Sequence, residues 1–143
     1  MGGKGGLIVD IDKCSLKVVL ELVGSISRRA VSHAFRKMKR RGAIDMDLKT
    51  ATTDNGCEVS HQKALERTFG CPICCTRAYA SHEKGAVENV NRIIRQWFPK
   101  GTDFSMVSRE DVLAVEAILN SIYRLSLKGE SAHEYNSRLA NAA

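Results

Sequence analysis

The chain has 143 residues, of which 43% are hydrophobic and 27% charged, a composition typical of one globular domain with a single core. No apolar run approaches the roughly 20 residues that cross a bilayer, and the start lacks a signal-peptide pattern, so we expect a cytoplasmic protein without a membrane partner. The 22 Lys and Arg exceed the 16 acids and give a formal charge of +6, which favours a polyanionic partner over a small-molecule substrate.

The first predicted element is a β-hairpin in "GLIVDIDKCSLKVVLELVG", residues 6–24. Two β-rich stretches flank the polar break from Asp12 to Ser15, and Gly24 ends the second stretch. The next segment, "SISRRAVSHAFRKMKRRGA", predicts a helix because Val31, Phe35 and Met38 recur at helical spacing, and Gly42 is a natural end.

The remaining faces of this helix are strongly basic. They could bind phosphates or form a solvated surface, and their distribution over several faces favours neither interpretation. The side chains concerned are Arg28, Arg29, Arg36, Lys37, Lys39, Arg40 and Arg41.

The middle of the chain predicts two strands separated by a helix. "DLKTATTD" favours a third strand, residues 60–69 a helix closed by Gly70, and "CPICC" a fourth strand followed by a polar loop over residues 76–85. Cys71, Cys74 and Cys75 contain a C-x-x-C pair. Because a second pair is lacking and His61 and His82 are irregularly spaced, buried thiols are favoured over a zinc site.

The last third of the chain predicts helices. Val87, Val90, Ile94 and Trp97 predict the core side of a helix over residues 86–98, which Pro99 and Gly101 end. Ser108 and Asp111 predict a capping box. The helix that follows would bury the stripe Val112, Val115, Ile118 and Leu119, and a short helix is predicted over Ala132 to Leu139.

This order of elements predicts the fold class and the domain organisation. An antiparallel pair followed by alternating strands and helices predicts an α/β domain, with one mixed sheet covered by helices, over residues 1–143.

Two acids are candidate metal ligands, namely Asp54 at the predicted end of a strand and Glu88 in the predicted first turn of a helix. Hard ions such as Mg²⁺ take oxygen ligands, and two-metal phosphoryl transfer needs carboxylates that converge from separate elements. Spacing alone equally allows a turn residue at Asp54 and a carboxylate favoured by the helix dipole at Glu88.

The stretches "TATTDNG" and "HEKGAVENVNRIIRQWFPKGTDF" resemble the catalytic core of bacterial insertion-sequence transposases of the "thirty" family, in the retroviral-integrase-like superfamily with a DDE triad. The resemblance implies a ribonuclease-H-like fold, Mg²⁺ or Mn²⁺ as cofactor, and DNA as partner. It places Asp54 on the second catalytic Asp and Glu88 on the catalytic Glu.

The helix of Glu88 also carries candidate DNA-binding residues. Arg92 and Arg95 follow Glu88 at i+4 and i+7 and share its face, with Asn91 close by and Lys100 in the adjoining "FPKGTDF". The alternative for Glu88 and Arg92 is a simple ion pair on the helix surface.

The chain departs from the family pattern at its start. "MGGKGG" matches the turn after the family's first, central strand, so we expect that strand and its catalytic Asp to be missing. Asp10 and Asp12 align with a later turn and are interpreted as hairpin-turn acids, with Asp10 as the less favoured substitute ligand.

These departures leave two functional hypotheses. The first is a transposase core for DNA cleavage and strand transfer that is inactive in this form. The second is a non-catalytic remnant that only binds DNA or self-associates through an unpaired strand edge.

Overall fold

The computed structural model describes residues 5–44, 48–53, 59–75 and 81–142. Its elements follow in the predicted order, and the α/β class is confirmed. They are β1 (Gly6–Ile11), β2 (Val18–Val23), α1 (Arg28–Arg40), β3 (Ala51–Thr53), α2 (Val59–Phe69), β4 (Ile73–Cys75), α3 (Ser81–Ile94), α4 (Arg109–Ser121) and α5 (Ala132–Ala142). None of the helices within these ranges combines the length and hydropathy needed to cross a membrane.

The four strands form two separate pairs in the described residues. β1 and β2 are antiparallel, whereas β3 and β4 are parallel, as the intervening α2 crossover allows. The predicted single mixed sheet is therefore not found in this part of the chain, because no strand pairing joins β1 or β2 to β3 or β4. The ribonuclease-H-like arrangement and the missing first strand stay predictions.

The β1–β2 hairpin separates two apolar layers. Val18 and Leu20 of β2 pack with α3 and α4, whereas Val19, on the opposite face, packs against Met38 of α1. Phe35 of α1 also contacts the cluster that α2 forms with β4, so α1 joins the two strand pairs. Helices thus cover both faces of the hairpin.

The predicted ends of α1 are confirmed by its capping contacts. The Ser27 hydroxyl accepts a hydrogen bond from the Ala30 amide at 3.2 Å, which satisfies one of the free amides of the first turn. Gly42 adopts φ of +67°, and the Ala43 amide donates to the Met38 carbonyl at 3.0 Å. This arrangement is a Schellman motif, in which glycine avoids the steric cost of the left-handed conformation.

The start and the buried face of α3 differ from the prediction. The helix begins at Ser81, within the predicted polar loop, because the polar residues before Gly85 carry no apolar periodicity that would reveal a helix. Val87 and Trp97 are 41% and 39% exposed, and the core side is instead formed by Val90, Ile94 and Phe98.

The capping box of α4 is confirmed. The Asp111 amide donates to the Ser108 hydroxyl at 3.0 Å, and the Asp111 carboxylate accepts from the Ser108 amide at 3.3 Å. Three residues of the predicted stripe are buried, but Ile118 is exposed because it lies at the margin of that stripe.

Candidate nucleic-acid interface

α3 is anchored to the sheet by a continuous apolar stripe. Val90, Ile94 and Phe98 follow one another at i+4 spacing and are buried in the cluster that contains Val18 and Leu20 of β2. Because the inner face of α3 is fixed in this way, the side chains on its opposite face have a defined orientation relative to the sheet.

The outer face of α3 presents the predicted acid and cations to solvent. Glu88, Arg92 and Arg95 are all exposed. Arg92 donates from Nη2 to Asn89 Oδ1 at 2.9 Å, and the described contacts of Arg92 include no ion pair with Glu88. The alternative of a simple surface ion pair is therefore wrong, and the Glu88 carboxylate is available for another cation.

The position of Glu88 along the helix corrects a second prediction. With α3 beginning at Ser81, Glu88 is the eighth helical residue and not part of the first turn. The helix dipole acts within the first and last turns, so it does not explain an acid at this position.

Asn91 and Lys100 lie at the edges of this surface. Asn91 is half-buried, and its carbonyl accepts from the Arg95 amide at 3.1 Å, which extends the helical hydrogen bonding past Ile94. Lys100 is exposed in the turn that follows α3. All five predicted residues on or after α3 thus lie along one helix and its C-terminal turn.

The second predicted acid is in a different situation. Thr53 ends β3, and Asp54 lies outside the described residues, so the predicted approach of Asp54 to Glu88 stays a prediction. Among the residues that are described, no group of three or more His, Cys, Asp or Glu side chains could hold a metal ion.

Asp10 and Asp12 occupy different environments. Asp12 Oδ1 accepts from the amides of Cys14 at 2.7 Å and Ser15 at 3.0 Å, so Asp12 is the predicted turn acid. Asp10 instead lies inside β1, paired with Val19, which corrects its interpretation as a turn residue. Burial, with a smaller contribution from the Asp12 charge, raises the pKa of Asp10 to about 6.

The cysteine cluster shows no sign of a metal site in its described part. Cys71 is a buried free thiol whose pKa is raised chiefly by burial, whereas Cys74 is exposed, contrary to the expectation of buried thiols. The side chains of Cys75, His61 and His82 lie outside the described ones.

α1 carries a second basic surface that sequence analysis missed. Lys37 pairs with Glu21, Lys39 donates to the Phe69 carbonyl, and Arg41 forms a bidentate pair with Glu116. These internal contacts remove three cations from the solvated face. Arg29, His33, Arg36 and Arg40 remain exposed at i, i+4, i+7 and i+11, and we call them the α1 stripe.

A cleft of about 650 Å³ lies beside α3 but does not include Glu88. It is bounded by the β1–β2 turn, the outer residues Ala86 and Asn89 of α3, and the segment from Ile122 to Leu127. Its walls are largely apolar, with Lys13 and Arg124 as its cations, so this cleft and the charged face of α3 are distinct surfaces.

Sequence comparison identifies insertion-sequence proteins as relatives. The transposase for insertion sequence element IS4351 of Bacteroides fragilis is 30% identical over 96% of this chain and 42% of its own length. Transposase InsI for insertion sequence element IS30A of Escherichia coli K12 is 29% identical over 63% of this chain and 24% of its own length. The chain therefore spans less than half of either relative. No family model matches the chain.

Structural comparison identifies a similar fold. A chain in the cryo-EM structure of the simian T-cell lymphotropic virus intasome, in complex with PP2A regulatory subunit B56 gamma, superposes with a TM-score of 0.65. The match covers 91% of this chain and 47% of that chain at 16% identity, a level at which the likeness concerns the fold alone.

Proposed function

This chain is a homologue of the insertion-sequence transposases, and on that premise we propose that it is part of a catalytic core for metal-dependent DNA cleavage and strand transfer. The resemblance predicted from "TATTDNG" and "HEKGAVENVNRIIRQWFPKGTDF" agrees with these relatives. Because the chain spans only part of each relative, activity, substrate and partners are inferred for residues 1–143 and not transferred from the whole proteins.

The observation that carries the proposal is the outer face of α3. Glu88 is an exposed carboxylate without an ion pair to Arg92, and Arg92 and Arg95 lie on the same side of the helix. A carboxylate suits a hard divalent ion, whereas guanidinium groups hold phosphate oxygens through paired N–H donors. Both kinds of group are required where a metal ion and a DNA phosphate meet.

The proposed metal is Mg²⁺ or Mn²⁺, held by Asp54 and Glu88. Glu88 fits this role as an exposed oxygen donor on a fixed helix. When bound, such an ion supplies charge neutralisation at the phosphate and activation of the attacking oxygen. The chain itself contributes the carboxylates, and Arg92 and Arg95 orient the DNA backbone.

We further propose that residues 1–143 alone do not catalyse strand transfer. They match two of the three acids of the triad, and phosphoryl transfer depends almost entirely on positioning and charge neutralisation. The available substitutes are poor, because Asp12 is hydrogen-bonded to turn amides and Asp10 lies within β1. The second hypothesis, a remnant that binds DNA without cleaving it, shares this expectation.

A strand-cleavage and strand-transfer assay with Mg²⁺ or Mn²⁺ tests the proposal. We expect no product from the unmodified chain, and product from a version extended by an Asp-bearing first strand. Asp54→Asn and Glu88→Gln should abolish the activity of the extended version. If the extended version is also inactive, the non-catalytic hypothesis is supported.

Activity of the unmodified chain that disappears in both variants would contradict the proposed inactivity, and Asp10→Asn would then identify the third acid. Binding of Mn²⁺, followed by calorimetry, gives a readout that is independent of catalysis. It should weaken in Glu88→Gln and in Asp54→Asn if both carboxylates hold the ion.

A further inference from the structure

β1 is apolar on both faces although only one of its edges is paired. Leu7, Val9 and Ile11 pack against the cluster formed with α3 and α4, and Ile8 packs on the opposite side against the cluster of Val19 and Met38. A strand covered on both faces is typical of the interior of a sheet. In the described part of the chain, however, β1 pairs with β2 alone.

The outer edge of β2 is closed by side chains. The Val18 amide donates to Asn120 Oδ1, and Asn120 Nδ2 donates to the Val18 carbonyl, both at 2.8 Å. The Leu20 amide donates to Glu116 Oε2 at 2.7 Å, and Arg41 Nη2 donates to the Leu20 carbonyl at 3.0 Å. These contacts occupy the main-chain groups that another strand would need, so this edge cannot extend the sheet.

The corresponding main-chain groups of β1 have no such closure. Val9 and Ile11 stand opposite Leu20 and Val18, so their amides and carbonyls, like those of Leu7, point away from β2. No hydrogen bond joins the amides or carbonyls of Leu7 and Val9 to another residue in the described ranges. The two edges of one hairpin therefore differ, and only the β1 edge can accept a strand.

We infer that the β1 edge pairs antiparallel with the β1 edge of a second copy of this chain, which would form a continuous four-stranded sheet about a two-fold axis. This inference does not depend on the proposed enzymatic function. An isologous contact of this kind needs a segment that is complementary to itself, and β1 meets that requirement.

The sequence of β1 selects one register for this contact. With Val9 opposite its counterpart, Leu7 faces Ile11 and Ile8 faces Asp10, so apolar side chains meet on the α3 and α4 side. A shift that paired Val9 with Ile11 would place two Asp10 carboxylates directly opposite each other, which disfavours it.

Hydrogen exchange at different protein concentrations tests the inference. We expect the amides of Leu7 and Val9 to become protected as concentration rises, in step with dimer formation measured by sedimentation. The amides of Ile8 and Asp10 point towards β2 and are the internal control, because their protection should not depend on association.

Disulfide formation tests the register. In a cysteine-free background, Val9→Cys should form a disulfide-linked dimer on oxidation, because Cα atoms of a hydrogen-bonded antiparallel pair lie about 5.5 Å apart. Ile8→Cys is the matched control, since its diagonal counterpart would lie about 7 to 8 Å away, beyond the reach of a disulfide.

Three results would overturn the inference. The first is a monomer in which the Leu7 and Val9 amides exchange freely at every concentration. The second is protection of these amides that is independent of concentration, which would mean that another segment of the same chain pairs with β1. The third is a dimer whose formation leaves these amides unprotected.

Discussion

Asp10 is the residue whose environment most clearly conflicts with its charge. It lies half-buried in an otherwise apolar strand, and burial together with Asp12 raises its pKa to about 6, against an ordinary value of 3.8. The folded chain thus binds the proton more tightly than the unfolded chain. Stability should therefore decrease as pH rises through the interval between these two values.

We predict that Asp10→Asn removes this pH dependence. The amide cannot ionise, so the variant should be more stable than the unmodified chain above pH 7, by up to about 3 kcal/mol, and equally stable below pH 4. Urea denaturation at several pH values measures the difference. Parallel pH profiles for the two proteins would show that the Asp10 carboxylate is solvated instead.

Arg92 and Arg95 are predicted to carry DNA affinity on α3. Charge reversal at both positions should weaken duplex binding and reduce the dependence of log affinity on log salt by roughly two phosphate contacts, each contributing a slope of about 0.9. Fluorescence anisotropy over a salt series gives both quantities for the variant Arg92→Glu, Arg95→Glu.

The α1 stripe supplies the matched control for this experiment. Arg36→Glu combined with Arg40→Glu changes the net charge equally, on another exposed helix face. If only this second variant loses affinity, DNA lies against α1 and not α3. If neither variant changes the salt dependence, the non-catalytic hypothesis loses its DNA-binding role as well.

At the scale of elements, α4 acts as a substitute for a strand at the edge of β2. Asn120 forms two hydrogen bonds to the main chain of Val18, a residue that is fully buried. Glu116 serves Leu20 in the same way and is held by Arg41 of the α1 C-terminus. The hairpin edge, α1 and α4 are therefore linked by one set of polar contacts.

We predict that Asn120→Ala destabilises the fold by about 2 to 4 kcal/mol, because it leaves a buried amide and a buried carbonyl without partners. Asn136→Ala on α5 is the control. Asn136 donates only to the Ala132 carbonyl within its own helix, at 2.7 Å, and its loss should cost much less. Thermal denaturation compares the two variants, and equal effects would contradict the assigned role of α4.

At the scale of the whole molecule, the element order was predictable because each element carries a local signal. The apolar spacing of α1, its end at Gly42, and the capping box at Ser108 depend on contacts within a few residues. The buried face of α3 was predicted less well. Val87 and Phe98 are both apolar, and only the position of the sheet decides that Phe98 is buried and Val87 exposed.

The candidate site was likewise only partly predictable. Sequence identified Glu88, Arg92 and Arg95 as neighbours on one face, since helical spacing alone determines that relation. It did not identify the α1 stripe, because the removal of Lys37, Lys39 and Arg41 from the solvated surface depends on Glu21, Glu116 and the Phe69 carbonyl, which are distant in the chain.

The sequence by itself determined the α/β class, the order of elements, the relationship to transposases and the face of α3 that carries charge. These properties follow from local spacing and from motifs, each of which is contiguous in the chain. Only the tertiary structure decided which cations stay exposed, which strand edge is closed, and that Asp10 is half-buried in a strand. Those outcomes depend on which distant side chains meet, because solvation and hydrogen-bond partners are set by packing and not by sequence neighbours.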